Sequence, residues 1–104
     1  MGVRENKVER HLDLKVKSIG GITRKWISPG HDGVPDRIVI FNSIVWFVEV
    51  KTIDGEFEPS QPREHKRLRD CGANVVTVYG ERGVDRFVKW INSGYKFLQC
   101  GDFK

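Results

Sequence analysis

Hydrophobic residues near the N-terminus recur with the period of an α-helix. Over residues 5–18 and just beyond, the apolar positions fall on one stripe of a 3.6-residue repeat, namely Val8, Leu12, Val16 and Ile19. Gly20 and Gly21 follow, and glycine is common at the C-terminal end of a helix. We interpret the next segment, residues 22–27, as a short strand with two alternating faces.

The rest of the chain reads as strands and helices in alternation. Asn42 and Ser43 separate two apolar runs and predict a tight hairpin turn, whereas residues 28–33 and 53–58 are rich in polar and turn residues and predict loops. The remaining predicted elements are strands at 38–41, 44–51 and 74–79, a helix from Pro59 or Ser60 to Cys71, and a helix from Gly83 or Val84 to about Ile91. Ser60 is a candidate N-cap of the first of these helices.

This order predicts one α/β domain spanning residues 1–104. The hairpin strands are antiparallel, and the strand at 74–79 returns through a helical crossover, so we expect an αβββαβ core with a mixed central sheet flanked by helices. A length of 104 residues suits a single hydrophobic core. The 38% of hydrophobic residues argue against a disordered chain.

The sequence also bears on the cellular location of the protein and on the state of its cysteines. No apolar run approaches the roughly 20 residues that span a bilayer, and the N-terminal residues contain no apolar signal-peptide segment, so we expect a cytoplasmic protein with no membrane contact. Cys71 and Cys100 lack a nearby Cys or His partner for a zinc site, and we expect both to be buried or idle thiols.

The net charge of +4 favours a polyanionic partner only weakly by itself. If three acidic side chains bind metal ions, however, the rest of the surface carries three more positive charges than this net value. Such an excess favours binding to a phosphate backbone.

The segment "WFVEVK" places a carboxylate and an ammonium group in an otherwise apolar strand. Side chains alternate along a strand, so Glu49 and Lys51 project from the same face. Pairing across the turn at Asn42 and Ser43 sets Asp36 directly opposite Glu49. Two facing carboxylates repel each other unless a cation lies between them. We therefore predict a cation site at Asp36 and Glu49.

Magnesium suits such a site because it prefers oxygen ligands and takes one or two carboxylates from a protein. A bound Mg²⁺ or Mn²⁺ ion can activate water and stabilise a phosphoryl transition state. Lys51 could lower the pKa of the attacking water or stabilise negative charge on the phosphate.

These residues resemble the PD-(D/E)XK nucleases, and in particular their VRR-NUC branch, which has small stand-alone members in phages and bacteria. The matching segments are "VERHL", "KWISPGHDGVPDRIVI", "FVEVK" and the downstream Gln61, and the resemblance extends from about residue 8 to residue 79. It implies a restriction-endonuclease-like fold and a DNA endonuclease that requires Mg²⁺ or Mn²⁺.

The resemblance also implies roles for individual residues. Asp36 and Glu49 resemble the metal-binding carboxylates, the Val50 carbonyl completes the coordination, Lys51 resembles the catalytic lysine, and Gln61 resembles the glutamine that reaches back to the site. The set of predicted catalytic residues is therefore Asp36, Glu49, Lys51 and Gln61. Alternatively, Gln61 could merely cap the second predicted helix or face water.

Glu9 resembles the N-terminal-helix glutamate that approaches the metal directly or through water. Its neighbour Glu5 lies closer to the apolar stripe and is the alternative. Arg37 should point to the face opposite Asp36 and form a structural ion pair. Four basic residues are candidates for contact with DNA phosphates, although each could also be a solvated surface residue: Lys25, Arg63, Lys66 and Arg67.

The predicted function is a metal-dependent endonuclease, in the host cytoplasm if phage-encoded, and the resemblance to stand-alone VRR-NUC members implies a homodimer that acts on branched DNA such as a four-way (Holliday) junction. A two-fold dimer suits a two-fold substrate. Two alternatives remain: a nuclease for flaps or non-specific DNA, and a non-catalytic DNA-binding protein. A small-molecule phosphohydrolase is disfavoured because the chain has no phosphate-binding glycine loop, and no small-molecule cofactor is expected.

Overall fold

The computed structural model describes residues 3–94 and 100–104. Three helices are described: α1 (Val3–Ser18), α2 (Ser60–Asp70) and α3 (Gly80–Asn92). Five strands are described: β1 (Ile22–Lys25), β2 (Arg37–Phe41), β3 (Ile44–Lys51), β4 (Asn74–Tyr79) and β5 (Cys100–Phe103). None of the helices described is both long and apolar enough to cross a membrane.

The strands form one mixed sheet in the order β1-β2-β3-β4-β5. Strands β1, β2 and β3 are antiparallel neighbours, whereas β3, β4 and β5 run parallel. The β2–β3 turn is formed by Asn42 and Ser43, both with positive φ angles of 52° and 67°. Two residues in this conformation match the twist of a tight hairpin. The predicted mixed sheet and the αβββαβ core are confirmed.

The hydrophobic core lies between one face of the sheet and helices α1 and α3. The predicted apolar stripe of α1 is buried there, at Val8, Leu12 and Val16. Alternate residues of the strands pack against this stripe, namely Val39, Trp46, Val48, Val50, Val76 and Val78. Helix α3 contributes Val84, Phe87, Val88 and Ile91. Helix α2 lies on the opposite face, and that face carries the side chains at 47, 49 and 51.

Some predicted boundaries are wrong. Strand β1 ends at Lys25 rather than at residue 27, although the Trp26 N–H still donates to the Asp36 carbonyl at 3.0 Å. Helix α3 begins at Gly80, several residues before the predicted start. Ser60 is not the cap of α2: Pro59 occupies that position and no side chain caps the helix.

Two further features differ from the prediction. Strand β5, at residues 100–103, was not predicted, because four residues with an apolar-polar mixture carry little periodic signal. Cys71 and Cys100 are both exposed free thiols, so burial is excluded for both.

Candidate active site

The hairpin register brings Asp36 and Glu49 together on the face that carries α2. Arg37 pairs with Val48, so the next position on each strand sets Asp36 opposite Glu49, as predicted. The Val50 N–H donates a hydrogen bond to Asp36 Oδ2 at 2.9 Å and fixes the carboxylate. Burial and the negative charge of Glu49 raise the pKa of Asp36 to about 6, and the hydrogen bond from Val50 opposes this shift.

The main-chain carbonyl of Val50 faces the same side as the Asp36 carboxylate. In an antiparallel ladder a residue directs its N–H and C=O toward the same neighbour, and the Val50 N–H points at Asp36. Continuing the register places the buried Pro35 opposite Val50. Proline has no N–H to donate, so this ladder position supplies no hydrogen bond to the Val50 carbonyl.

Gln61 joins the other two polar side chains of the site. Its Nε2 donates to Glu49 Oε2 at 2.9 Å, and its Oε1 accepts from Lys51 Nζ at 3.0 Å. The same Oε1 accepts from the Glu58 N–H at 2.7 Å, so Gln61 also ties the preceding loop to the start of α2. Lys51 Nζ lies 3.5 Å from Glu49 Oε2, and both side chains are buried. Gln61 therefore reaches back to the site as predicted.

His65 is a residue of this site that sequence reasoning missed. It is buried on α2, and its Nε2 lies 3.5 Å from Glu49 Oε1. Its ring meets the edge of Phe57 with a centroid distance of 5.5 Å. A signal was present in the sequence, since His65 follows Gln61 by four residues and thus lies on the same helix face.

Two comparisons identify relatives of the chain. A phage protein described as "Putative nuclease p44", from Acyrthosiphon pisum secondary endosymbiont phage 1, is 44% identical over 77 residues, which cover 73% of this chain and 83% of the relative. A solved structure described as a VRR_NUC domain is 36% identical, has a TM-score of 0.77, and is matched over 97% of its length and 85% of this chain.

The chain belongs to the VRR-NUC family of nucleases. No known protein-family model matches it. A more distant structure, the Holliday junction resolvase Hjc of Archaeoglobus fulgidus, is 16% identical with a TM-score of 0.56, over 72% of this chain and 67% of Hjc. At this identity the likeness shows the fold alone.

The acidic residues of this VRR-NUC chain suit a divalent cation. Within residues 3–94 and 100–104, no group of three or more His, Cys, Asp or Glu side chains could hold a metal ion. Mg²⁺ needs fewer, since it takes one or two carboxylates and leaves other positions to water or phosphate. The mutual repulsion of the facing Asp36 and Glu49 carboxylates supports the fit.

Glu9 lies on α1 and contacts basic side chains. Its Oε1 is 3.0 Å from Arg37 Nε and 3.8 Å from Lys25 Nζ, and Arg37 also contacts Asp13 at 3.3 Å. The expected structural pairing of Arg37 is thus confirmed. Burial raises the pKa of Glu9, and the charge of Lys25 partly offsets this. Glu9 is buried and Glu5 is half-buried, and the approach of either residue to a metal stays a prediction.

The predicted DNA contacts lie on the surface. Arg63, Lys66 and Arg67 are exposed on α2, where Lys66 pairs with Asp70 at 2.7 Å and Arg67 lies 3.7 Å from Glu64. Lys25 is exposed at the end of β1. All four side chains are exposed to solvent, and their role in DNA binding stays a prediction.

Proposed function

We propose that this VRR-NUC protein is a DNA endonuclease that requires Mg²⁺ or Mn²⁺, cleaves branched DNA such as four-way junctions, and acts as a homodimer in the cytoplasm. One observation carries the proposal. Two facing carboxylates, Asp36 and Glu49, share one face of the sheet with the buried Lys51, and Gln61 is hydrogen-bonded to both Glu49 and Lys51.

Asp36, Glu49 and the Val50 carbonyl are the groups that would hold the cation. When bound, the cation supplies Lewis acidity for activating water and for stabilising charge at phosphorus. Lys51 places an ammonium group beside Glu49, where it can stabilise the charge that grows on the phosphate oxygens. Gln61 orients that ammonium group and the Glu49 carboxylate together.

Charge and fold support DNA as the substrate. The chain has a net charge of +4, and α2 presents Arg63 and Arg67 to solvent beside the site. We extend the proposal to branched DNA because the fold is shared with Hjc, which is a Holliday junction resolvase. The sequence contains no motif that reads DNA bases. We therefore propose that the protein recognises the shape of its DNA substrate rather than the base sequence.

An exposed apolar row on the sheet supports a homodimer. Ile22 pairs with Ile40, and Ile40 pairs with Val45, so the three side chains form one row across β1, β2 and β3. They are 46%, 40% and 41% exposed. The row lies on the same face as Glu49, about 13 Å along the strand from it, at 3.3 Å per residue. A two-fold contact through this row would relate two active sites by the symmetry that suits a two-fold substrate such as a junction.

The proposal is tested with a panel of end-labelled DNAs: a four-way junction, a flap, a nicked duplex and a linear duplex. We expect cleavage of the junction in MgCl₂ or MnCl₂ and none in EDTA. Equal cleavage of all four substrates would contradict selectivity for branched DNA. Cleavage in EDTA would contradict the metal requirement.

A lysine variant separates catalysis from binding. We expect Lys51→Ala to lower the cleavage rate by about 10²–10³-fold, as the loss of a transition-state donor does elsewhere, while junction binding in a gel-shift assay stays within a few-fold. Lys89→Ala, an exposed lysine on α3, is the matched control and should cleave normally. If neither wild type nor variant cleaves any DNA while both bind it, the protein is a non-catalytic DNA-binding protein.

A further inference from the structure

The two oxygens of the Glu49 carboxylate are held in different ways. Oε2 accepts a hydrogen bond from Gln61 at 2.9 Å, whereas Oε1 faces His65 Nε2 at 3.5 Å. Among the described residues neither Glu49 Oε1 nor His65 Nε2 has a hydrogen-bond partner, although both atoms are fully buried. A buried donor and a buried acceptor that face each other and lack other partners are suited to pair with each other.

The surroundings of His65 restrict where its ring can point. The residue is 3% exposed, and Phe57 meets the ring at an interplanar angle of 87°. Since His65 and Gln61 are four residues apart on α2, one helix face presents both side chains to Glu49. A rigid helix thus supplies a neighbour to each oxygen of the carboxylate.

We propose that His65 is a positioning residue for Glu49, with the Nε2–H tautomer donating to Oε1. The present separation is longer than an ordinary N–H···O bond, and bonds of this kind often tighten only when the site is loaded. His65 acts through the carboxylate rather than on the cation, because Mg²⁺ prefers oxygen ligands. This role rests on the proposed function, since it gives Glu49 the orientation needed for metal binding.

The tautomer can be measured on the metal-free wild-type protein by NMR of ¹⁵N,¹³C-labelled histidine at pH 8. We expect the His65 ring to carry a hydrogen on Nε2, the nitrogen that faces Glu49 Oε1. A His65 ring that carries its hydrogen on Nδ1 at this pH would overturn the proposal, because Nε2 would then have nothing to donate to Glu49. This readout needs neither metal nor DNA.

Substitutions test the consequence for the site. His65→Phe keeps an aromatic ring against Phe57 but removes the donor, whereas His65→Gln keeps an N–H donor near the position of Nε2. We expect H65F to weaken Mn²⁺ binding by 10–100-fold in calorimetry and to lower kcat on the junction similarly at saturating MnCl₂, with KM for DNA unchanged. H65Q should recover most of both losses. If H65F does not fold, His65→Met replaces it, since methionine fills irregular space without a donor.

The outcomes separate the two proposals. If wild type binds Mn²⁺ and cleaves DNA while H65F or H65M matches it within about 2-fold, the role of His65 is wrong and the proposed function stands. If H65Q loses as much as H65F, ring packing rather than donation matters, and the positioning role is again wrong. A wild type that neither binds Mn²⁺ nor cleaves DNA overturns the proposed function, and the role of His65 falls with it.

Discussion

Two carboxylates share a partly buried position in this site, and their repulsion should be visible in the stability of the metal-free protein. The pKa of Asp36 rises from 3.8 to about 6 on folding, chiefly through burial and then through the charge of Glu49. Between these two values the folded chain holds a proton that the unfolded chain has lost. The contribution of the Asp36 carboxyl to the free energy of unfolding is therefore fully present below pH 3.8 and is lost as the pH rises through about 6.

Asp36→Asn removes this loss because the amide stays neutral. In EDTA at pH 8 we expect the variant to be more stable than wild type by about 1–3 kcal/mol, the upper end corresponding to roughly two pKa units. At pH 4 the two proteins should differ little from this cause. Urea denaturation at both pH values measures the difference, and a variant less stable than wild type at pH 8 would contradict the prediction.

Adding a divalent cation should reverse the order of stability. Binding to the folded state alone stabilises a protein in proportion to the logarithm of ligand concentration over Kd. MnCl₂ at pH 8 should thus raise the unfolding free energy of wild type and leave Asp36→Asn nearly unchanged. Equal stabilisation of both proteins would place the cation elsewhere.

At the level of elements, the loop between β1 and β2 packs against the start of α2. Gly33 has a φ of +90°, and a Cβ added there would lie 2.6 Å from the Ser60 carbonyl oxygen and 3.0 Å from the Gln61 nitrogen. Both are main-chain atoms of the helix that carries Gln61 and His65. The loop therefore helps to set the distance between α2 and the sheet.

Gly33→Ala should move α2 relative to Glu49 and Lys51. We expect a loss of more than 2 kcal/mol in unfolding free energy and a drop of about 10-fold or more in kcat, since displacements of about 1 Å can cost that much. Gly30→Ala is the matched control in the same loop, because Gly30 also has a positive φ of 81° but no atom within 4 Å of the added Cβ. It should lose only about 1–2 kcal/mol and retain its kcat. Equal effects of the two substitutions would show that backbone strain, not the contact with α2, is responsible.

Local patterns predict the central elements of this fold because each has a strong periodicity or a clear boundary. Counting outward from the turn at Asn42 was enough to place Asp36 against Glu49, and alternation was enough to place Lys51 beside Glu49. The contact of Gln61 with the site came from the family resemblance. These inferences need only neighbouring residues or a known motif.

Other features depend on contacts that a single sequence does not encode locally. Strand β5 pairs with β4 through only four residues. It also packs closely against α3, since a Cβ at Gly83 would lie 2.2 Å from the Phe103 carbonyl oxygen. The position of β5 therefore depends on tertiary packing. His65 looks like an ordinary polar residue of a basic helix until the fold sets that helix over Glu49. The exposure of both cysteines likewise follows from where the elements pack.

At the scale of the whole molecule, the exposed apolar row is separate from the buried core. A charged substitution in the row should therefore affect association between copies of the chain rather than folding. Ile40 is the middle residue of the row, flanked by Ile22 and Val45 on the neighbouring strands. A carboxylate at its position would be desolvated in a two-fold contact, where burial of an unpaired charge is strongly unfavourable. In the monomer the same side chain would stay in solvent.

If the proposed homodimer forms through this row, Ile40→Glu should remain folded but be monomeric, with half the mass of wild type in light scattering. Paired nicks on a four-way junction should be lost while single nicks persist, because each protomer keeps its own Asp36, Glu49 and Lys51. Leu14→Glu is the control, since Leu14 is an apolar residue 68% exposed on α1, outside the row, and it should leave the dimer intact. A dimeric Ile40→Glu would place the two-fold contact on another surface, and a monomeric wild type that still makes paired nicks would remove the need for a dimer.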